Sequence, residues 1–188
     1  MRIGTIGSGF IVEFILENVQ KTEGICCEAV YSRTEEKGRA LADKFGVQKV
    51  YTDLDAMCAD PDVDFIYIAS PNSLHFAHAK KALNAGKHVL CEKPFVPTAA
   101  EARELIALAK EKHLLLFEMN TTLLHPHYPW IREHMKDVGA LQMISATFCQ
   151  YSSRYDLLKA GKLTNIFDPN FAAGTLMDIN VYNISFVA

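Results

Sequence analysis

From its first residue to about Asn120 the chain alternates short apolar, β-branched runs with stretches of helical periodicity, and this alternation constrains the fold more than any other feature. Strands joined through helices pair in parallel, because the helix supplies the long crossover that a parallel pair needs. The predicted strands are Arg2 to Ile6, Ile25 to Tyr31, Lys49 to Tyr51, Phe65 to Ala69, His88 to Cys91 and Leu114 to Glu118. The intervening helices run from about Phe10 to Lys21, Thr34 to Phe45, Leu54 to Ala59, Ser73 to Ala85 and Thr98 to His113. Local signals agree with this pattern: Thr98 and Glu101 have capping-box spacing, and Gly46 and Gly86 stand where helix ends favour a left-handed residue. The expected fold class is α/β, with a doubly wound parallel sheet over residues 1–119.

After Asn120 the alternation stops. Pro126, Pro129, Gly139, Gly161, Pro169 and Gly174 punctuate a stretch predicted to hold one short helix, one strand near Leu141 to Gln150 and a loop. Residues 120–188 therefore read as the start of a second domain, which looks unfinished because Ile184 to Ala188 are apolar and carry no helix stop signal.

Composition narrows the function classes. At 188 residues and 49% hydrophobic, the chain can bury a sizeable core, and its net charge of −3 is spread without a basic stripe. Neither nucleic acid nor a membrane surface is an expected partner. No run approaches the roughly 20 apolar residues of a membrane span. The chain opens on an apolar strand rather than a basic region with a cleavage site, and the cytoplasm is the expected location. The five cysteines are odd in number and lack Cys-x-x-Cys spacing, so they read as reduced thiols. His125 and His127 lie in a Pro-rich loop without acidic support, and no metal is expected.

Gly7-Ser8-Gly9 follows the first predicted strand and opens a helix at Phe10 and Ile11, the Rossmann-type context in which backbone amides and a helix N-terminus meet a pyrophosphate. A tight turn without a ligand is the plainer alternative. Val12 takes the third motif position in place of Gly or Ala, which predicts a looser contact between helix and strand. Ser32, Arg33 and Thr34 stand at the end of the second strand, roughly 20 residues beyond the turn, where an NAD enzyme places an acid on the ribose. A guanidinium and two hydroxyls suit a 2′-phosphate instead, so NADP(H) is the expected cofactor and NAD(H) the second choice. The alternative leaves Arg33 solvated or stacked on adenine.

Ser70-Pro71-Asn72 and His75 follow the fourth strand, and Glu92-Lys93-Pro94 ends the fifth, all on the edge where doubly wound sheets bind ligands. Lys93 can orient a substrate hydroxyl and tune its proton affinity, while Pro94 fixes the backbone that presents it. Read singly, these are an ordinary helix cap, a surface histidine and a turn.

Taken together, in this order and spacing, the glycine turn, Ser70-Pro71-Asn72 with His75, and above all Glu92-Lys93-Pro94 resemble the glucose-fructose oxidoreductase, inositol dehydrogenase and MocA family. Gly174 to Tyr182 is similar to the family segment that carries an Asp and, four residues later, a catalytic His or Tyr. If one helix carries both, Asp178 and Tyr182 share a face. The resemblance implies hydride transfer between a nicotinamide cofactor and a sugar, polyol or related alcohol or carbonyl. Lys93 and Tyr182 would assist proton transfer, and Asp178 would position the substrate. It also implies an open-sheet α/β substrate domain and a homo-oligomer for the full-length form. A cofactor-binding sensor of the same fold is the rival reading. A methyltransferase would give no role to Glu92-Lys93-Pro94, Asp178 or Tyr182.

Overall fold

In the computed structural model, which describes residues 1–188, six strands form one sheet in the order β3-β2-β1-β4-β5-β6. They are β1 (Arg2–Ile6), β2 (Cys26–Tyr31), β3 (Lys49–Tyr51), β4 (Phe65–Ile68), β5 (His88–Glu92) and β6 (Leu116–Met119). The pairs β1–β2, β1–β4, β2–β3 and β4–β5 are parallel. The chain after β5 returns beside it, with the Val89 N–H donating to the Leu115 carbonyl at 2.9 Å. The order reverses between β1 and β4, which opens the crevice in which such sheets take ligands.

The helices are α1 (Phe10–Val19), α2 (Glu35–Phe45), α3 (Leu54–Ala59), α4 (His75–Asn84) and α5 (Ala99–Glu111). Period-two alternation along β4 divides the core. Tyr67 packs with Ile3, Val12, Leu16, Val30 and Leu41. Ile66 and Ile68 pack with Met57, Ala79, Leu83, Val89 and Leu105. Helices α1 and α2 thus cover one face of the sheet, and α3, α4 and α5 the other. Val12 corrects an expectation, since it is fully buried and its branched side chain fills the seam between α1 and β1. Helix α4 is preceded by a 3-10 turn at Asn72–Leu74 rather than starting at Ser73.

The chain divides into two compact units, Met1–Glu118 and Met119–Ala188. The second contains the short helices α6 (Thr121–Leu124), α7 (His127–His134), α8 (Tyr155–Lys159), α9 (Thr175–Asp178) and α10 (Asn180–Val187). Its only buried residue is Asn120, whose side-chain amide donates to Ser185 Oγ at 2.7 Å. The strand expected near Leu141 to Gln150 does not form. A strand exists only through a ladder with a neighbour, and the one sheet is made from strands that all precede Asn120.

Candidate functional site

Register brings the predicted residues to one edge. Ile6 pairs with both Tyr31 and Ile68, and Ile68 pairs with Cys91, so the C-terminal ends of β2, β1, β4 and β5 stand level. The loops bearing Gly7, Ser32, Ser70 and Lys93 follow directly.

At the first loop Gly7 is obligatory. Its φ is +118°, and a Cβ there would lie 2.7 Å from the Ala69 carbonyl oxygen. Its N–H donates to the Tyr31 carbonyl at 3.3 Å, which holds the turn across to β2. A Cβ on Gly9 would meet nothing within 4 Å, so this side of the turn is open. Gly9 caps α1 without a side-chain bond, and its carbonyl accepts from the N–H groups of Val12 (3.0 Å) and Glu13 (3.3 Å). The amides of Phe10 and Ile11 are left without an intrahelical acceptor at the positive end of the helix dipole. Phe10 itself is 81% exposed.

At the second loop Ser32 is buried, with its N–H donating to the Tyr51 carbonyl at 3.0 Å. Arg33 is exposed and makes no ion pair; the neighbouring Glu35 instead lies 3.9 Å from Arg39. Thr34 is the N-cap of α2 but makes no capping bond. By contrast α3 is capped by Asp53 and α5 by the Thr98–Glu101 box. The helices that start beside the glycine turn and Arg33 thus keep their first-turn amides available to an anion, the chemistry a dinucleotide phosphate requires. The region also depends on Gly38, which the sequence reading missed. A Cβ there would lie 2.6 Å from Val50 Cγ1 and 3.3 Å from Ser32 Cβ, so glycine lets α2 sit against β3. The available signal was a glycine inside a helical stretch.

At the third and fourth loops, His75 departs from both readings open to the sequence. It is neither a surface residue nor able to lend a free ring nitrogen to a cofactor. The side chain is 1% exposed. Its Nδ1 lies 2.9 Å from the Pro94 carbonyl oxygen and 3.2 Å from that of Phe95, and its Nε2 lies 2.9 Å from the carbonyl oxygen of Ser70. The signal was present in the spacing, since His75, Ala79, Ala82 and Leu83 form the buried face of α4. Ser70 Oγ lies 3.0 Å from His78 Nδ1. Burial, reinforced by the charges of His75 and Lys81, lowers the His78 pKa to about 4.

Lys93 follows β5 directly, and the Lys93–Pro94 peptide is cis. Glu92, at the end of β5, accepts a 2.6 Å hydrogen bond from the Tyr67 hydroxyl. Burial raises the proton affinity of Glu92, and of Tyr67 with it. Glu118 holds the turn from β6, accepting the Phe95 N–H at 2.9 Å, and burial raises its proton affinity too. Sequence reading saw Glu118 only as the end of a strand.

In the second unit the expectation of one helix carrying Asp178 and Tyr182 is corrected. Asp178 ends α9, Ile179 breaks the run with φ −111° and ψ −47°, and Tyr182 lies in α10. The Tyr182 N–H donates to the Ile179 carbonyl at 3.2 Å, three residues back. Asp, Ile and Asn in succession are all weak helix formers, which accounts for the interruption here. The Tyr182 ring lies 5.1 Å from that of Phe148.

Comparison with known proteins places this geometry. Over 184 residues the chain is 39% identical to the scyllo-inositol 2-dehydrogenase (NADP(+)) IolU of Bacillus subtilis, covering 98% of this chain and 56% of that one. It is 37% identical over 144 residues to a D-xylose 1-dehydrogenase (NADP(+)) of Hypocrea jecorina, covering 74% of this chain and 37% of that one. Among solved structures, KijD10, a 3-ketoreductase from Actinomadura kijaniata in complex with TDP-benzene and NADP, superposes with a TM-score of 0.68 at 32% identity. That match covers 75% of this chain and 44% of the other. The chain thus spans about half the length of relatives such as IolU. A profile described as an oxidoreductase family with an NAD-binding Rossmann fold matches residues 1–120. With its glycine turn, Arg33 and Lys93 on one sheet edge, the chain belongs to that family, the one of glucose-fructose oxidoreductase, inositol dehydrogenase and MocA.

Proposed function

We propose that this chain is the cofactor-binding part, with the start of the substrate domain, of an oxidoreductase that moves hydride between NADP(H) and a sugar, polyol or related alcohol or carbonyl. NAD(H) is the weaker cofactor. The observation that carries the reading is Arg33, an exposed guanidinium without an ion pair, at the end of β2 where an NAD enzyme keeps an acid. The named cofactor of IolU and of the xylose dehydrogenase is also NADP(+).

Gly7, Ser8, Gly9 and the amides of Phe10 and Ile11 would hold the pyrophosphate. Ser32, Arg33 and Thr34 would hold the 2′-phosphate, and Ser70, Pro71 and Asn72 would flank the nicotinamide half. When bound, the nicotinamide supplies the hydride acceptor or donor. Lys93 would bind the substrate oxygen and stabilise its deprotonated form, with Tyr182 taking or returning the proton and Asp178 orienting the substrate. The reading extends to a cytoplasmic homo-oligomer for the full-length protein, on the strength of the family resemblance and of five free cysteines.

Titration of nicotinamide fluorescence tests the cofactor. NADPH binding about tenfold tighter than NADH, a difference of about 1.4 kcal/mol, is expected; tighter NADH would overturn the preference. Inositols and aldoses would then be screened for a change in nicotinamide absorbance.

A further inference from the structure

His75 joins two loops that β4 and β5 deliver separately. Its ring lies between the Ser70 carbonyl on one side and the Pro94 and Phe95 carbonyls on the other, at 2.9, 2.9 and 3.2 Å. It has no exposed surface to spare and cannot reach a ligand through either nitrogen. Phe95 is gripped from the opposite side as well, where Glu118 accepts its N–H.

We propose that His75 is a positioning residue: it ties the Ser70–Asn72 loop to the Lys93–Phe95 turn, so that the nicotinamide half of a bound dinucleotide and the Lys93 ammonium are placed as one unit. The proposal rests on the reading of this edge as a dinucleotide site. In that site the adenine half would lie towards β2 and Arg33, and the nicotinamide half across the reversal of strand order towards β4 and β5. His75 bonds none of the adenine-side residues Ser32, Arg33 and Thr34. A carbonyl buried without a donor is costly, so loss of the imidazole lets Ser70 and Pro94 move to find other partners. The loops then lose their mutual register.

The two halves of the cofactor separate this from a merely structural role. Adenosine 2′,5′-bisphosphate probes the adenine side alone, and NADPH probes both. In the 188-residue chain, His75→Asn keeps an amide donor near the position of Nδ1, and His75→Gln keeps one near that of Nε2. Each variant restores one half of the link. Both should weaken NADPH about tenfold, the effect of losing one or two hydrogen bonds, and leave adenosine 2′,5′-bisphosphate unchanged. Parallel weakening of both ligands, or unchanged NADPH binding, overturns the proposal. If the unaltered chain binds the bisphosphate but gains nothing from the nicotinamide half, the link is refuted while the adenine site stands. Binding of neither ligand refutes the site as well. Carbonyls only accept, so holding both loops takes an N–H at each ring nitrogen; two slowly exchanging imidazole N–H resonances from His75 in the unaltered chain check the link without any substitution, and the absence of either counts against it.

Discussion

The two edges of the single sheet handle charge in opposite ways. At the edge where β1, β3 and β4 begin, cations are satisfied internally. Arg2 meets Asp62 and Asp64 at 2.9 Å each, and Lys49 reaches Glu28, Asp60 and Asp62 at 3.1, 3.0 and 2.7 Å. The Lys87 ammonium, just before β5, donates to the carbonyls of Asp60 and Val63 at 2.7 Å each. At the opposite edge Arg33 makes no ion pair, Thr34 makes no capping bond, and α1 starts on an open glycine. Both edges belong to the same elements, so the contrast does not come from the fold. Donors that the protein satisfies for itself can only hold structure, whereas donors left facing solvent can bind an anion.

This contrast can be broken from either side. The largest effect is expected at Gly7, where a Cβ meets the Ala69 carbonyl and φ disfavours any side chain. Gly7→Ala should cost about 2–4 kcal/mol of stability and abolish NADPH binding, as read by urea unfolding and fluorescence titration. A variant that folds and binds normally would show that the turn is not set by close approach. Next comes Lys87→Met, which leaves two carbonyls buried without their donor. A loss of about 1–3 kcal/mol is expected, with the affinity for NADPH per folded molecule unchanged. An affinity loss there would mean that the two edges are not independent.

Arg33→Ala should do the reverse. It should weaken NADPH by about tenfold or more, in line with a charge-assisted hydrogen bond, while NADH affinity and the unfolding midpoint stay put. Equal loss for both cofactors would make Arg33 an adenine or general phosphate contact. The smallest effect is the pH response of the closed edge. Arg2 lowers the Asp64 pKa to about 2, below that of the unfolded chain, so the pair contributes stability above the unfolded carboxylate range. That contribution fades as pH falls through the ordinary carboxylate range towards about 2. Because Asp64 is solvated, the change should be slight, and Asp64→Asn should flatten the unfolding midpoint between neutral and acid pH. An unchanged acid response in that variant would exclude the pair as its source.

Much of this is legible in the sequence. The βαβ alternation, the glycine turn between β1 and α1, the missing acid at Arg33 and the Glu92-Lys93-Pro94 stretch are local. Hydrophobic periodicity and turn chemistry depend on residues a few positions apart, so a linear sequence carries them in full. What tertiary structure alone decided is non-local. Tyr67 meets Glu92, Glu118 meets Phe95, and His75 meets Pro94, all between residues far apart in the chain. Val12 proved to be a filler because Ile3, Val30 and Tyr67 come to meet it. The same reason explains the failures. Leu141 to Gln150 holds an apolar-rich run between turn residues, but a strand also needs a neighbour. Asp178 and Tyr182 have helical spacing, but a continuous helix also requires Ile179 to keep its angles. The sequence by itself determined which groups arrive at the sheet edge, because strand order and loop position follow from local pattern. Only the packed structure decided which of them face a ligand and which, like His75, hold the others in place, because that depends on partners distant in sequence.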